Sequence, residues 1–297
     1  MNPRERGFLL LTSRLGNPDR RPLSTAQLRM LAQRAVNLSK RNEALDLTVT
    51  DLLRAGVESR IAEKTVRLLD DEFQLDAYLN RAKRMGCFPI TRAGAVYPAF
   101  LRERLALEAP GCLWAKGNLK ILSMPTVALV GSRDLNEKNR RFARQVGIQA
   151  ARQGYALVSG NARGADTVGQ DACLEAGGYV VSVLADSLEE HLPDDHQLFL
   201  SEEDFDEPFS AFRALHRNRV IHTMGILTFV AQCALGKGGS WDGSVQNLQK
   251  RWSGLYCCRD GSDASIQLEQ MGAFLIDVDA LVDFEKLPRG QMSFMDL

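Results

Sequence analysis

The sequence has no excess of charge of either sign, because its 37 lysines and arginines are balanced by 37 aspartates and glutamates. Overall charge therefore gives no attraction to nucleic acid, and any site for a polyanion must be a local patch. No apolar run approaches the roughly 20 residues that a membrane-spanning helix needs. The apolar stretch at 7–11 is too short for the core of a signal peptide. We expect a soluble, cytoplasmic protein that does not contact a membrane.

Signals for metal and disulfide chemistry are weak as well. The six cysteines include no C-x-x-C pair, and only Cys257 and Cys258 are neighbours. Adjacent cysteines rarely bridge each other, so we expect buried, reduced thiols. His191 and His196 enclose two aspartates in a stretch that a metal could use, but no second cluster of ligands accompanies them. Neither a metal nor another cofactor is therefore expected.

What the sequence does contain is the composition of a globular protein. Its 297 residues are 45% hydrophobic and 25% charged, which suits one or two domains with a sizeable core. Residues 1–85 predict a small N-terminal helical domain, with a helix behind Ser24 and two more at 48–53 and 61–69. The turn at Gly56 also suits a helix-hairpin-helix module that binds nucleic-acid backbone, although an ordinary packing domain is the preferred interpretation.

Residues 86–286 predict a Rossmann-like domain, and residues 287–297 a C-terminal tail. The proline-containing stretch 86–118 predicts a connecting segment with little regular structure. Beyond it, apolar runs lie at 126–130, 155–159, 179–184, 225–230, 255–258 and 274–276. Helical patterns alternate with them at 136–153, 165–176, 214–224, 243–251 and 263–271. This alternation predicts an α/β fold, a doubly wound and mostly parallel sheet covered by helices on both faces.

Two turns at the ends of predicted strands have the composition of an anion site. The first contains Gly131, Ser132 and Arg133. The second contains Ser159, Gly160, Arg163, Gly164 and Asp166. Glycine lets the backbone approach a phosphate, helix N-terminal amides point at the anion, and arginine offers a fork of donors. Both turns are expected at one edge of the sheet. For Asp166, a role in capping the next helix is about as well supported as a ligand contact.

Two further segments extend this pattern. Arg217, Asn218 and Arg219 precede an apolar helix end, which favours a role near the sheet over a solvated helix face. After the following strand come Lys237, Gly238, Gly239 and Ser240, a glycine-rich basic turn that lacks the spacing of a Walker A motif. No catalytic arrangement stands out, since Ser132 and Ser159 have no evident histidine partner. The acidic run 202–204 is expected to be a solvated loop.

Taken together, these segments resemble the DprA/Smf family of bacterial DNA-processing proteins. The matching segments occur in the family's order and span about residues 88–277. They are Tyr97-Pro98, Lys116-Gly117-Asn118, the run 127–133, the run 159–166, Ser201-Glu202, the run 217–221 and Met271-Gly272-Ala273. The combination is specific, although each piece alone is not.

The resemblance implies a protein that binds single-stranded DNA without sequence preference. It further implies loading of the recombinase RecA during natural transformation and dimerisation through the Rossmann-like domain. By resemblance, the residues that line the strand-binding pocket are Ser132, Arg133, Arg163, Asn218 and Arg219. The alternative is a nucleotide-binding sensor, or an enzyme like the phosphoribohydrolases of the same fold superfamily. Their P-G-G-x-G-T-x-x-E signature is only partly matched at 238–242, where no glutamate follows.

The sequence also departs from the family pattern and is interpreted as a divergent branch. Gln170 stands where the family usually has a histidine, and residues 238–243 replace the usual S-G-S-L-x-T-A turn. Residues 257–261 replace a V-P-G turn, and the C-terminal winged-helix domain of many members has no room. In the tail, Gln291, Met292 and Phe294 resemble peptides that dock on the bacterial sliding clamp. A latch folded onto the domain's own surface is the preferred alternative.

Overall fold

The computed structural model describes residues 1–35 and 47–289, and the chain divides into two compact units. Unit 1 comprises Met1–Trp114 and Glu202–Glu207, and unit 2 comprises Ala115–Ser201 and Pro208–Leu297. The hypothesis of a clamp-binding motif falls on residues 291–294, which lie outside the described residues. None of the helices in the described ranges is long and apolar enough to cross a membrane. All six cysteines are buried free thiols, as predicted.

Unit 1 is mostly helical, as the sequence predicts for residues 1–85. Its helices are α1 (Pro3–Thr12), α2 (Thr25–Ala35), α3 (Val49–Arg54), α4 (Ser59–Leu69), α5 (Glu72–Arg84) and α6 (Ala99–Leu105). Asn2 caps α1 and Thr48 caps α3, each through a reciprocal capping box. A cluster around Leu31, Leu52 and Leu68 forms a core, so the α3–α4 pair packs inside a helical domain.

The prediction of little regular structure at 86–118 is wrong. This stretch contains β1 (Cys87–Thr91), helix α6 and β2 (Cys112–Gly117). Pro89 lies inside β1, which the sheet tolerates because β1 is an edge strand. Short 3-10 helices complete the chain at Ala106–Glu108, Leu119–Ser123, Leu188–Glu190, Val278–Val282 and Phe284–Lys286.

Unit 2 contains the predicted α/β alternation. Its strands are β3 (Thr126–Val130), β4 (Ala156–Ser159), β5 (Tyr179–Val183), β6 (Gln197–Ser201), β7 (Leu227–Val230), β8 (Gly254–Cys258) and β9 (Phe274–Ile276). Its helices are α7 (Glu137–Arg152), α8 (Ala165–Glu175), α9 (Ala211–His216), α10 (Asn218–Met224), α11 (Gly239–Lys250) and α12 (Asp263–Gln270). The sequence pattern does not predict β6, and it predicts a single helix where the structure has α9 and α10.

The strands of unit 2 form a parallel sheet in the order β6-β5-β4-β3-β7-β8-β9. From β3 the chain moves outward through β4, β5 and β6, then returns to the other side of β3 and continues through β7, β8 and β9. This is the doubly wound Rossmann-like topology that the sequence predicts. The strand order reverses between β3 and β7, and ligands of such sheets bind beyond the carboxyl ends of the strands at this point.

Close packing of α7 and α8 fixes the helices that start at this edge. All five residues of β3 are buried, and Phe142 and Val146 of α7 belong to the same core as Leu129. A Cβ on Gly147 of α7 would overlap the carbonyl oxygen of Gly169 in α8. The two helix backbones therefore touch, and a side chain at this crossing has no room.

The acidic run 202–204 is not simply a solvated loop, because Asp204 is buried within unit 1. Its carboxylate accepts hydrogen bonds from the backbone N–H of Arg14 (2.7 Å) and from the indole N–H of Trp114 (3.3 Å). Burial raises the pKa of Asp204 to about 6, against the opposing effect of hydrogen bonds from Ser13 and Arg14. The carboxylate thus ties the segment after α1 to β2 at the cost of a desolvated charge.

This burial predicts an unusual pH dependence for unit 1. As the pH falls, a carboxyl whose pKa is higher in the folded state takes up its proton in the folded protein at a higher pH than in the unfolded chain. Its contribution to the free energy of unfolding therefore rises as the pH falls through about 6, by up to about 3 kcal/mol. The Asp204→Asn variant should lose this rise, measured by urea unfolding between about pH 7.5 and 4.5. The exposed-site variant Glu63→Gln should follow the parent. Parallel curves for the parent and Asp204→Asn would contradict the assignment.

Candidate functional site

The turn after β3 is tied to the turn after β7 at the point where the strand order reverses. The backbone N–H of Ser132 donates to the carbonyl of Gln232 (2.8 Å), and the Ser240 hydroxyl donates to the carbonyl of Gly131 (2.8 Å). A Cβ on Gly131 would lie 2.5 Å from the Cβ of Ala165. Glycine is needed there because the start of α8 lies directly against this turn.

The turn after β4 is built around a buried carboxylate. Asp166 is 6% exposed, and its Oδ2 accepts from the backbone N–H groups of Gly160 (3.1 Å) and Ala162 (3.2 Å). Burial raises the pKa of Asp166, opposed first by the positive charge of Arg217 and then by these N–H groups. Ser159 is fully buried, and its hydroxyl donates to the carbonyl of Leu129 (2.9 Å). Both side chains hold the turn in place from inside the protein.

Gly164 joins the first two turns. Its φ is +99°, in the region that favours glycine, and a Cβ there would overlap the carbonyl oxygens of Ser132 and Arg133. The next backbone N–H, that of Ala165, donates to the Ser132 carbonyl (3.1 Å). The N-terminus of α8 therefore starts beside the end of β3.

Arg217 connects the turn after β4 to helix α10. It is 6% exposed, and its Nη2 donates to the carbonyl of Gly160 (2.8 Å) while Nη1 donates to Oδ1 of Asn218 (3.2 Å). The Nδ2 of Asn218 donates in turn to the carbonyl of Gly239 (3.1 Å), the first residue of α11. A Cβ on Gly160 would overlap the Arg217 guanidinium. Arg217 is thus a buried residue that holds the turn after β4 against the start of α10.

The outer residues of the site carry positive charge. Arg133, Arg163 and Lys237 are exposed, and Arg219 is partly exposed. Arg163 pairs with Asp134 (2.8 Å), but both side chains are exposed, so this ion pair holds the arginine only weakly. The Nε of Arg219 lies 3.4 Å from Nε2 of His216.

The structure thus divides the fifteen sequence-predicted site residues into two groups. One group is buried: Ser159, Gly160, Gly164, Asp166 and Arg217. The other is partly or fully exposed: Gly131, Ser132, Arg133, Arg163, Asn218, Arg219, Lys237, Gly238, Gly239 and Ser240. Hydrogen bonds join the turns after β3, β4 and β7 to the start of α10. Helix α11 begins at Gly239, four residues before its predicted start, so the glycine-rich segment supplies a helix N-terminus.

A cavity of about 470 Å³ lies beside this cluster, between α9 and the starts of α10 and α11. Asn218, Arg219 and Gly239 of its lining are predicted site residues, whereas Phe212 of α9 and Trp241 of α11 were not predicted from the sequence. An available signal was the spacing of Phe212 and His216, which share one face of α9 and stack with ring centroids 5.7 Å apart.

Two polar side chains behind the site, Gln170 and His222, are buried in the protein interior. Gln170, at the position where the resemblance leads one to expect histidine, is buried and donates to the hydroxyl of Ser182 (2.9 Å). His222 of α10 is fully buried, and burial lowers its pKa to about 3, so its ring is neutral at ordinary pH.

Comparison with known proteins agrees with the fold and the order of the motifs. The model of the family described as DNA recombination-mediator protein A matches residues 89–250, more than half of the chain. DNA processing protein DprA of Streptococcus pneumoniae is 31% identical over 205 residues, which cover 64% of this chain and 71% of that protein. Protein Smf of Escherichia coli is 31% identical over 142 residues, or 44% and 38% of the two chains.

Solved structures show the same architecture. The crystal structure of DprA from S. pneumoniae superposes with a TM-score of 0.71 at 24% identity, covering 88% of this chain and 92% of that one. A structure of DNA processing protein A from Helicobacter pylori, described for its single-stranded DNA binding mode, gives a TM-score of 0.55 at 20% identity. It covers 66% of this chain and 94% of the other. At these identities the likeness shows the fold.

The role of Gly164 can be tested with a closely matched control. Gly164 and Gly177 both have positive φ, +99° and +77°, but nothing lies within 4 Å of a Cβ placed on Gly177. Each substitution by alanine strains the backbone at a cost of about 1 kcal/mol. Gly164→Ala should lower the free energy of unfolding by about 1–3 kcal/mol more, because two carbonyl oxygens must move. Equal losses in urea unfolding would show that the close approach of the turns is not needed.

Proposed function

The chain belongs to the DNA recombination-mediator protein A family, and from this premise we propose that it binds single-stranded DNA at the carboxyl edge of β3, β4 and β7. The observation that carries the proposal is the joining of three glycine-containing turns into one surface with arginines on its outside. In a chain with no net charge, this surface has the exposed cationic side chains of Arg133, Arg163 and Lys237 on the outside of its turns.

The chemistry of the surface suits a phosphate backbone. Helices α8 and α11 both begin at these turns, and the positive ends of their dipoles attract anions. Ser132 adds a hydroxyl group, and Arg133 and Arg219 add planar forks of donors for phosphate oxygens. None of these groups reads a base edge, so this part of the site would bind DNA without sequence preference.

The two groups of site residues have different proposed roles. The exposed arginines contact phosphate directly. Arg217, Asp166 and Ser159 are buried and already hydrogen-bonded to the turns, so they act as positioning residues that hold the amides in place. A charge buried in such a network is costly to disturb because its partner is left unpaired.

We further propose that the protein acts in the cytoplasm in the processing of incoming DNA, by loading a RecA-type recombinase on the bound strand during natural transformation. This role rests on the family resemblance. The proposed contact of the tail with the sliding clamp rests on Gln291, Met292 and Phe294 of the sequence alone. The alternative, a nucleotide sensor or phosphoribohydrolase-like enzyme, would bind a free nucleotide at the same edge.

Arg133→Ala and Arg219→Ala test the phosphate contacts. Each variant should weaken binding of a single-stranded oligonucleotide and lower the slope of log affinity against log salt concentration by about 0.7 for the lost contact. Arg152→Ala is the matched control, because Arg152 is an exposed arginine at the opposite end of α7 from the turns. Fluorescence anisotropy at several salt concentrations measures both quantities.

Free nucleotides added as competitors in the same assay distinguish DNA binding from the alternative, a nucleotide sensor or enzyme. Displacement of the oligonucleotide by one nucleotide at micromolar concentration would favour the sensor or enzyme. If Arg133→Ala and Arg219→Ala fold normally and bind DNA like the parent and Arg152→Ala, the site is assigned wrongly.

We also propose that the chain forms a symmetric dimer through unit 2. Strand β9 is the edge of the sheet, and edge strands with unpaired backbone groups need to be covered or paired. Ile266 and Met271, beside this edge in sequence, are 42% and 37% exposed. Light scattering at micromolar concentration should give twice the mass of the chain, and Met271→Asp should reduce it toward the monomer. A strict monomer, with and without DNA, would remove this proposal.

A further inference from the structure

Three positive side chains lie along one face of α4 in unit 1. Arg60, Lys64 and Arg67 follow the spacing i, i+4 and i+7, which places them in one sector of the helix surface. Arg60 and Arg67 are exposed, whereas Lys64 is partly buried. The three residues extend over about 10 Å of the helix axis. A different face of α4 packs into the core of unit 1 through Ala62 and Leu68.

Contacts with the start of α2 and the residues before it fix the middle of these three side chains. The Lys64 amine donates to the carbonyl of Pro22 (2.9 Å) and to Oε1 of Gln27 (3.3 Å). Burial lowers the pKa of Lys64, and the positive charges of Arg67 and Arg60 lower it further. The three cations are therefore close enough to repel one another, although the fold holds them together.

Other arginines of unit 1 are compensated by carboxylates. Such ion pairs join Arg6 to Glu72, Arg20 to Asp71, Arg29 to Glu108 and Arg81 to Asp206. Within residues 1–35 and 47–289, no ion pair forms at Arg60, Lys64 or Arg67. Glu63, a carboxylate of the same helix, accepts a hydrogen bond from the hydroxyl of Ser59 instead (2.9 Å). This face of α4 therefore carries positive charge that unit 1 does not balance locally.

Arg34 extends the three cations to the turn between α3 and α4. A Cβ placed on Gly56 in this turn would overlap Nη1 of Arg34, so the exposed guanidinium lies directly over the turn. Because α4 begins at Ser59, Arg34 and Arg60 lie at the same end of this helix. The four cations, from two helices, are called the basic row below. The sequence of this turn also suits a module that binds nucleic-acid backbone.

The composition of the basic row indicates which polyanion fits it. Arginine forks pair with phosphate oxygens, and a line of cations gains affinity by releasing the counterions of a nucleic acid. Sites for single strands add aromatic side chains on which bases stack, but helices α2, α3 and α4 contain no aromatic residue. Duplex DNA needs no stacking surface, and it presents one negative charge per about 1.7 Å of its axis. A duplex backbone therefore fits the basic row better than a single strand.

We propose that the basic row, Arg34, Arg60, Lys64 and Arg67, is a second nucleic-acid site that binds the phosphate backbone of duplex DNA without reading its sequence. This site belongs to unit 1 and shares no residue with the proposed strand site of unit 2. It goes beyond the proposed function and does not depend on it. A protein with both sites can bind DNA that is part single strand and part duplex.

The salt dependence of duplex binding tests the basic row in the full-length protein. Arg60→Gln/Arg67→Gln should weaken binding of a short blunt-ended duplex. It should also lower the slope of log affinity against log salt concentration by about 1.8, which is about 0.9 for each lost contact. Lys83→Gln/Arg84→Gln is the matched control, because it removes two exposed charges from the last turn of α5. This control should bind the duplex like the parent in fluorescence anisotropy.

A variant in a different helix guards against an effect on folding. Arg34→Gln should lower the slope for the duplex by about 0.9, the value for one contact. Urea unfolding should show that neither this variant nor Arg60→Gln/Arg67→Gln is less stable than the parent. The reason is that the removed side chains are exposed and that Arg60 and Arg67 repel Lys64.

A single-stranded oligonucleotide separates this site from the proposed strand site. Arg60→Gln/Arg67→Gln should bind the single strand like the parent, and Arg133→Ala should keep the parent's affinity for the duplex. If Arg133→Ala loses the duplex and Arg60→Gln/Arg67→Gln does not, the second site is overturned and the proposed function stands. If the parent binds the duplex but not the single strand, the proposed function fails and the second site stands. A parent that binds no duplex, or variants of the basic row that bind it like the control, would overturn the second site.

An acidic protein segment is the other partner that a row of cations attracts. A labelled oligo-glutamate peptide with the same number of charges as the duplex tests for it under the same salt conditions. The parent should bind this peptide more weakly than the duplex, because a carboxylate chain has a lower charge density than duplex DNA. If Arg60→Gln/Arg67→Gln loses affinity for the peptide and not for the duplex, the basic row binds protein and the proposal is overturned.

Discussion

A closed ring of hydrogen bonds joins the turns at the carboxyl edge of the sheet, and the buried guanidinium of Arg217 is the link on which the others depend. Arg217 binds the Gly160 carbonyl and Asn218, and Asn218 binds Gly239 at the start of α11. Ser240 then binds Gly131, and the Ser132 carbonyl accepts from Ala165 at the start of α8. Asp166 of α8 accepts a hydrogen bond from the backbone N–H of Gly160, which closes the ring. Each turn is held by its neighbours, so their amides keep fixed directions.

The electrostatic balance of this ring explains how a neutral chain can carry exposed arginines at one edge of its sheet. Arg217 is compensated inside the protein, since its charge favours the ionised form of Asp166 against the effect of burial. The arginines outside the ring have weaker local compensation, as in the exposed pair of Arg163 and Asp134. The exposed arginines at the rim therefore lie outside the balanced interior pair, a distribution that net charge cannot report.

The sequence predicted the strand–turn–helix units well, because β3, β4 and β7 are mostly apolar runs and each is followed by a turn that contains glycine. It did not predict β1, where Pro89 signals a break, or the burial of Asp204, whose partners Arg14 and Trp114 are distant in sequence. It also placed Arg217 with the other arginines of the site. Spacing along the chain cannot tell a buried arginine from an exposed one, since the carbonyl of Gly160 that it binds comes from another turn.

The cavity at Trp241 was beyond prediction for a related reason. In sequence, Trp241 is one residue in a departure from a family pattern, and Phe212 is one apolar residue before a basic helix. Only the separation of α9 from α10 at Arg217 places Phe212 opposite the start of α11. Arg217, which closes the ring of turns, thus also lies at the junction of α9 and α10. The lining of the cavity therefore depends on where α9 and α11, which are distant in sequence, come together, and spacing along the chain does not report this.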